Sequence, residues 1–314
     1  MWLAYASTAA VCFGLRGILY QWTSQRPIER NLMLLGVYLS GAFISIVAAL
    51  ALGQTWSPAV WCGLVMGLFS FISNASMYKG FAVGKASLVA IFTALTPVVV
   101  ASVSYFRWGE KLNGWQALSF GLIVAGIVLI RYSNDLSWRN LQGVQWALLA
   151  MVTFGITDVA SKQAMLWHAD KLPTLFIMYA TGAVLFFTLW ATVRLRVRKI
   201  SEHARHEVAA SASPEASVSV VSIATDAAVK PKNWSIPRTL GWGAVVGLSN
   251  ISGMIFILPA FQLGITGLVS AVVATNVLLI LLYARVFLKE RWSMQELIGI
   301  FCALIGVLAL RLLE

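Results

Sequence analysis

Two ionisable side chains stand deep inside long apolar runs of this 314-residue chain, Arg16 and Asp158. A charge held at membrane depth is costly, so such a residue marks function by default. Arginine offers a planar fork of donors to a carboxylate or phosphate, and aspartate can accept an amine or carry a coupling proton. The structural alternative is that the two charges pair with each other and hold the bundle closed; a pair broken by substrate would be a gate. Uncharged polar residues share the same runs: Asn74 with Ser70 and Ser73, Asn250 with Ser252, and Asn276. Such side chains bind ligands or hydrogen-bond a neighbouring helix. Tyr78 and Lys79 end the third run, where a substrate would first meet the protein, although Lys79 and Lys85 could equally snorkel to headgroups. The candidate substrate-binding or gating set is therefore Arg16, Asp158, Asn74, Tyr78, Lys79, Asn250 and Asn276.

Other chemistries find little support. Cys12, Cys62 and Cys302 lie singly within apolar runs, without metal or redox spacing. His203 and His206 sit three apart in a charged stretch that reads as solvated. The phosphate-cradling pattern GxxxxGK[ST] does not occur, which argues against direct ATP drive. An intramembrane enzyme would need a cluster of acids, bases or metal ligands at membrane depth, and at that depth there is one Asp, one Arg and no His. No catalytic residue, metal or cofactor is assigned, and the chain is not expected to be an enzyme.

The elements that must carry these residues follow from composition. Hydrophobic residues make up 59% and charged residues 11%, with mean hydropathy +0.81; soluble domains carry roughly 25% charged residues. A helix of about 20 apolar residues crosses a bilayer. Ten runs qualify: Trp2–Tyr20, Leu32–Leu52, Pro58–Met77, Ser87–Phe106, Trp115–Ile130, Leu141–Ala160, Thr174–Val193, Thr239–Leu258, Gly267–Phe287 and Met294–Leu310. They are continuously apolar, so helices are expected and not an alternating β-barrel. No basic residue precedes Arg16, so the first run reads as a retained helix and not a removable signal. The net charge of +11 does not mean nucleic acid, because 22 of 23 Lys and Arg lie between or at the edges of the runs, where lipid headgroups select them. Trp22, Trp56, Trp108, Trp115, Trp138, Trp234 and Trp292 lie near run ends, as an interfacial aromatic belt requires. Gly36, Gly41, Gly121, Gly126, Gly299 and Gly306 within the runs are expected to permit close helix approach.

Residues 194–238 break the pattern, with Ser, Ala, Glu and Lys and with Pro214, Pro231 and Pro237, and read as a flexible charged linker. A shift of 180 residues sets Gly63 on Gly243, Gly67 on Gly247, Phe81 on Phe261, Gly84 on Gly264, Glu110 on Glu290 and Gly126 on Gly306. A shift of 141 sets Phe13-Gly14 on Phe154-Gly155, so Arg16 falls on Thr157 and Gly17 on Asp158. The pattern is that of a duplication: residues 1–131 hold helices one to five and 139–312 hold six to ten, with the linker between seven and eight. Asn113 with Gln116 and Ser293 with Glu296 have the spacing of reciprocal helix N-caps. Five spans per unit is odd, so the second unit enters the membrane inverted, a design whose site lies near the midplane between the halves. Arg16 and Asp158 then face opposite walls of one central cavity.

The stretch from Phe81 to Ala90, with Pro97, Gly109-Glu110-Lys111-Leu112, Gln116, Gly121 and Gly126, resembles the EamA domain of the drug/metabolite transporter superfamily. The second copy, Phe261 to Ser270 with Lys289-Glu290-Arg291, Glu296, Gly299 and Gly306, is similar to it, with Val277 where the first copy has Pro97. The resemblance implies an all-α integral membrane protein of ten helices in two inverted repeats that exports or exchanges small metabolites. The linker is longer than that family's habit. The expected function is a secondary transporter of a small polar or amphipathic metabolite, with a scaffold or sensor acting through the linker as the alternative. Expected partners are that substrate and membrane lipids; two repeats allow a monomer to form the pathway, and a homodimer is compatible. The expected location is a bacterial-type plasma membrane. Basic residues number 17 on the linker side and five on the other, which places the linker in the cytoplasm, whereas family habit places both termini there.

Overall fold

The computed structural model describes residues 1–24, 26–83, 86–131, 143–210, 234–287 and 293–312, and every regular element among them is helical. In chain order these are α1 (Trp2–Ser24), α2 (Arg30–Ala51), a short 3-10 turn (Pro58–Trp61), α3 (Cys62–Val83), α4 (Ala86–Ala94), α5 (Thr96–Trp108) and α6 (Gly114–Arg131). Then come α7 (Val144–Leu166), α8 (Lys171–Ala210), α9 (Ile236–Leu263), α10 (Thr266–Ala274), α11 (Asn276–Phe287) and α12 (Met294–Leu312). Among the described residues nine stretches are long and apolar enough to cross a bilayer, and Gly114–Ile130 is a shorter apolar helix. Large apolar side chains such as Phe43, Phe106 and Phe301 remain exposed on the outside, a surface suited to lipid. The chain is an all-helical, multi-pass integral membrane protein.

Two of the expected spans are not continuous. Ser87–Phe106 divides into α4 and α5 at Leu95, and Gly267–Phe287 divides into α10 and α11 at Thr275. Pro97 has no amide hydrogen to continue the first ladder, and Thr96 turns its hydroxyl onto the Thr93 carbonyl at 2.8 Å. In the second break Val277 replaces proline, yet the Thr275 hydroxyl takes the Val272 carbonyl at 2.6 Å. A side-chain donor competing for ladder carbonyls accompanies both breaks.

Helix α2 packs between α8 and α9, and α8 lies between α2 and α3. Outside them α1 packs on α9, and α7 on α3; α6 pairs with α12, and α5 with α10. Small residues set these approaches. A Cβ on Gly126 would stand 2.5 Å from the Gly299 carbonyl, and one on Gly36 would stand 2.7 Å from the Leu240 carbonyl. Gly121 departs from the expectation: nothing lies within 4 Å of its Cβ position, because it faces away from the α12 contact.

Loop chemistry fixes the ends. At α6, Asn113 and Gln116 exchange backbone-to-side-chain bonds of 3.0 and 2.8 Å, a complete capping box. At α12 the Ser293 amide donates to Glu296 at 3.0 Å. Gly53 adopts φ +61° after α2, which lets Gly53 and Gln54 donate to the Leu50 and Ala49 carbonyls. The Gln54 side chain then caps Leu172 of α8 at 2.9 Å. Asp170 accepts the Thr55 amide at 2.6 Å and its hydroxyl at 2.7 Å, and these bonds, hydroxyl first, hold its carboxyl below the ordinary value. On the linker side Trp22, Trp234 and Trp242 cluster, with Trp22 and Trp242 centroids 4.6 Å apart. The Trp234 amide also donates to the Pro27 carbonyl at 2.9 Å.

The expected linker begins later than its composition suggests. Helix α8 runs on through Ala210, with Arg198 donating to Glu202 at 2.8 Å, and α9 begins at Ile236. Extending an existing helix needs no new nucleus, so a polar Lys, Arg, Glu and Ala segment continues it readily. Residues 211–233 lie outside the described residues, as do the side chains of His203 and His206.

Candidate functional site

A polar network crosses the middle of five helices. On α1, Arg16 donates from Nη1 to Asn250 Oδ1 of α9 at 2.6 Å. Asn250 in turn donates from Nδ2 to the Tyr179 hydroxyl of α8 at 3.1 Å. The Tyr179 ring meets Tyr38 of α2 edge-on, with centroids 5.7 Å apart. The Tyr38 hydroxyl shares a 2.5 Å hydrogen bond with Ser70 Oγ of α3 and accepts from Asn74 Nδ2 at 3.3 Å. Asn74 also donates to the Ser70 carbonyl at 2.7 Å.

Glycine makes room for the two central rings, each from the other's helix. A Cβ on Gly41 of α2 would strike Tyr179 at 2.6 Å, and one on Gly182 of α8 would strike Tyr38. Both tyrosines are buried. Under the 141-residue shift Tyr38 falls on Tyr179 and Gly41 on Gly182, and under the 180-residue shift Ser70 falls on Asn250. That correspondence was available in the sequence, but a tyrosine in an apolar run reads as packing until its partner is seen.

Arg16 has no carboxylate partner among the described residues. Its guanidinium lies 4.7 Å from the Phe13 ring centroid and 5.9 Å from that of Tyr20, a cation–π setting. Its Nε is buried without a hydrogen-bond partner.

Asp158 does not pair with Arg16. Its Oδ2 accepts from Ser270 Oγ, between α7 and α10, at 2.8 Å. The remaining candidates divide. Asn74 and Asn250 belong to the network. Lys79 is exposed and lies over the Trp146 ring of α7 at 4.1 Å, tying the end of α3 to that helix. Asn276 opens α11 and joins neither cluster. Tyr78 lies on α3, and its side chain is outside the described residues, as is Lys85.

A second charged cluster was not foreseen. The run ending at Ala160 made Lys162 a loop charge, but α7 continues to Leu166 and buries Lys162 at 6% exposure. Its Nζ lies 3.3 Å from Glu110 Oε1 and donates to the Phe261 and Gly264 carbonyls at 2.7 and 3.0 Å. Glu110 accepts the Thr266 amide at 2.7 Å and its hydroxyl at 3.0 Å. The cation thus closes the C-terminal end of α9, and the anion the N-terminal end of α10, as helix dipoles favour. Gly109, at φ +67°, turns the chain that aims Glu110 there. Long sequence separation hid this junction: the Glu110 and Glu290 correspondence signalled only a repeat. Among the described residues no three His, Cys, Asp or Glu side chains converge as a metal site would require.

None of the curated proteins compared matches the chain. A solved structure described only as a crystal structure of a protein covers 99% of this chain and 96% of its own, with TM-score 0.69 at 17% identity, a likeness of fold. The sequence pattern of the EamA-like transporter family matches residues 1–132. The first 132 residues are thus similar to the EamA-like transporter family, within a chain whose fold is found in a solved structure.

Proposed function

We propose that this membrane protein is a secondary carrier that exports or exchanges a small polar or amphipathic metabolite, without covalent chemistry. The observation that carries the reading is the network from Arg16 through Asn250 and Tyr179 to Tyr38 and Ser70, which joins five helices and holds a part-buried cation that has no carboxylate partner among the described residues. In this reading the chain has ten spans in two inverted repeats, 1–131 and 139–312, with α4 plus α5 as the fourth and α10 plus α11 as the ninth. The packing supports it. Exchanging corresponding helices converts the α1 and α9 contact into that of α7 and α3, and the α2 and α9 contact into that of α8 and α3; the α2/α8 and α6/α12 contacts map onto themselves. Rocking the repeats about the tyrosine pair would expose the central site to each side in turn. A bacterial-type plasma membrane is the proposed location.

The test compares intracellular and extracellular small-molecule pools by mass spectrometry in cells making the wild type or Arg16→Gln at equal levels. The expected outcome is that a compound moved by the wild type is not moved by the folded variant. An unchanged transport rate in Arg16→Gln refutes the role given to this site.

A further inference from the structure

We propose that the Arg16 site takes a small organic anion, its carboxylate or phosphate forked on the unused edge of the guanidinium and its apolar body against Phe13 and Tyr20. The inference rests on the carrier reading insofar as this anion is the cargo. It starts from charge. Among the described residues the ion pairs are Lys162 with Glu110 and Arg198 with Glu202, and Asp158 is engaged by Ser270. A guanidinium is a permanent cation, and one set within hydrocarbon calls for an anion.

The donors are arranged for one. Nη1 is used by Asn250, whose amide is held from its other end by the Tyr179 hydroxyl, so the guanidinium plane is fixed. Nε is buried and unpartnered, a state that costs free energy until an acceptor arrives. Protein closes over it in this conformation, and a ligand oxygen reaches it when the helices around α1 part. An arginine edge matches a carboxylate or phosphate with two parallel hydrogen bonds. The Phe13 and Tyr20 rings within cation–π range supply an apolar wall beside the charge. An amine would meet a fixed like charge, and a neutral cargo would leave the cation uncompensated.

The probes are benzoate, succinate and phenylphosphate as anions, with benzylamine and benzyl alcohol as cationic and neutral counterparts. Thermal unfolding of the purified full chain in detergent reports binding to each. Expected is an increase in Tm with at least one anion and none with benzylamine or benzyl alcohol; a response to phenylphosphate alone selects phosphate, and one to benzoate or succinate selects carboxylate. Arg16→Gln should weaken anion binding on the order of 10- to 100-fold, the effect of a lost charge-assisted hydrogen bond. Arg16→Lys keeps the charge, and with it the fold, and should bind about tenfold more weakly because it lacks the fork. Binding of none of the anions, benzylamine binding as tightly as they do, or undiminished anion binding in both variants overturns the proposal. Flux of the same compounds into proteoliposomes separates the two readings. Arg16-dependent anion binding without flux refutes the carrier and leaves the anion site standing; flux of benzylamine or benzyl alcohol without anion binding does the reverse.

Discussion

Replacing Lys162 by Met removes a charge but keeps the volume of its stem, so its cost measures the buried junction and not a cavity. The two side chains retain only 8% and 15% exposure. Lys162→Met leaves Glu110 with Thr266 alone and leaves the Phe261 and Gly264 carbonyls without the ammonium. Breaking a buried pair from one side costs about 3–5 kcal/mol. Glu110→Gln keeps an acceptor for Thr266 and should cost less, because the Lys162 charge retains two carbonyls. The double variant carries neither charge, so its loss should fall short of the sum by ~1–3 kcal/mol, as contacting residues do in a cycle. A solvated surface pair would give a coupling of only ~0.2–1 kcal/mol, weakened further by salt. Equilibrium unfolding in mixed micelles titrated with SDS, followed by tryptophan fluorescence at low and high NaCl, yields the four free energies. A coupling below about 0.5 kcal/mol, or one abolished by salt, refutes the view that this ion pair is a buried tie between α7, the turn before α6 and the α9–α10 turn.

Gly126→Ala should destabilise by about 1–3 kcal/mol, the usual cost of overpacking, because its Cβ would meet α12 backbone. Gly121→Ala, with nothing within 4 Å, should be neutral or stabilise the helix by about 0.5–1 kcal/mol; the same micelle titration ranks both. Asp170 has its folded pKa depressed below 3.8 by Thr55, so its contribution is present above that value and is lost as pH falls through the lower folded value. Asp170→Asn should flatten the acid limb of a stability profile measured from pH 6 to pH 2, and an unaltered limb refutes the link. Deleting Glu202–Lys230 should leave carrier flux within about twofold, since the deletion touches no residue of the Arg16 network; loss of flux with intact folding would favour the linker as the working element.

The spans were legible because the bilayer dictates their length and continuous apolarity, which local sequence records directly. Their interruptions were less so. Pro97 announces a break before α5, but Val277 does not, and only the hydroxyl of Thr275 on Val272 accounts for the break before α11. Arg16 and Asp158 stood out as charges in apolar surroundings, yet sequence could not choose their partners. Arg16 meets Asn250, 234 positions away, and Asp158 meets Ser270, 112 positions away. Lys162 was misread because an apolar count stops at the first charge, while the helix continues wherever a distant carboxylate can receive that charge.

The correspondence between the two halves also explains why the opposite faces differ. It repeats tyrosine, glycine and helix contacts faithfully at the centre, where Tyr38 and Tyr179 pack against each other's helices. The charges of Arg16, Asp158 and Lys162 do not repeat. Gln21 corresponds to Lys162, Gly17 to Asp158 and Thr157 to Arg16, so the ionic junction at Glu110 has no counterpart lysine on the linker side. That side instead holds the indoles of Trp22, Trp234 and Trp242, with Arg26 over Trp22 at 4.9 Å and Arg238 over Trp234 at 4.0 Å. One end of the bundle therefore holds a buried ion pair and the other apolar stacking with cation–π contacts. Hydrophobic contact weakens on cooling and is indifferent to the loss of one charge, whereas a buried ion pair fails when either partner is removed. In the carrier reading proposed above, these unlike ends would give the two end states different free energies.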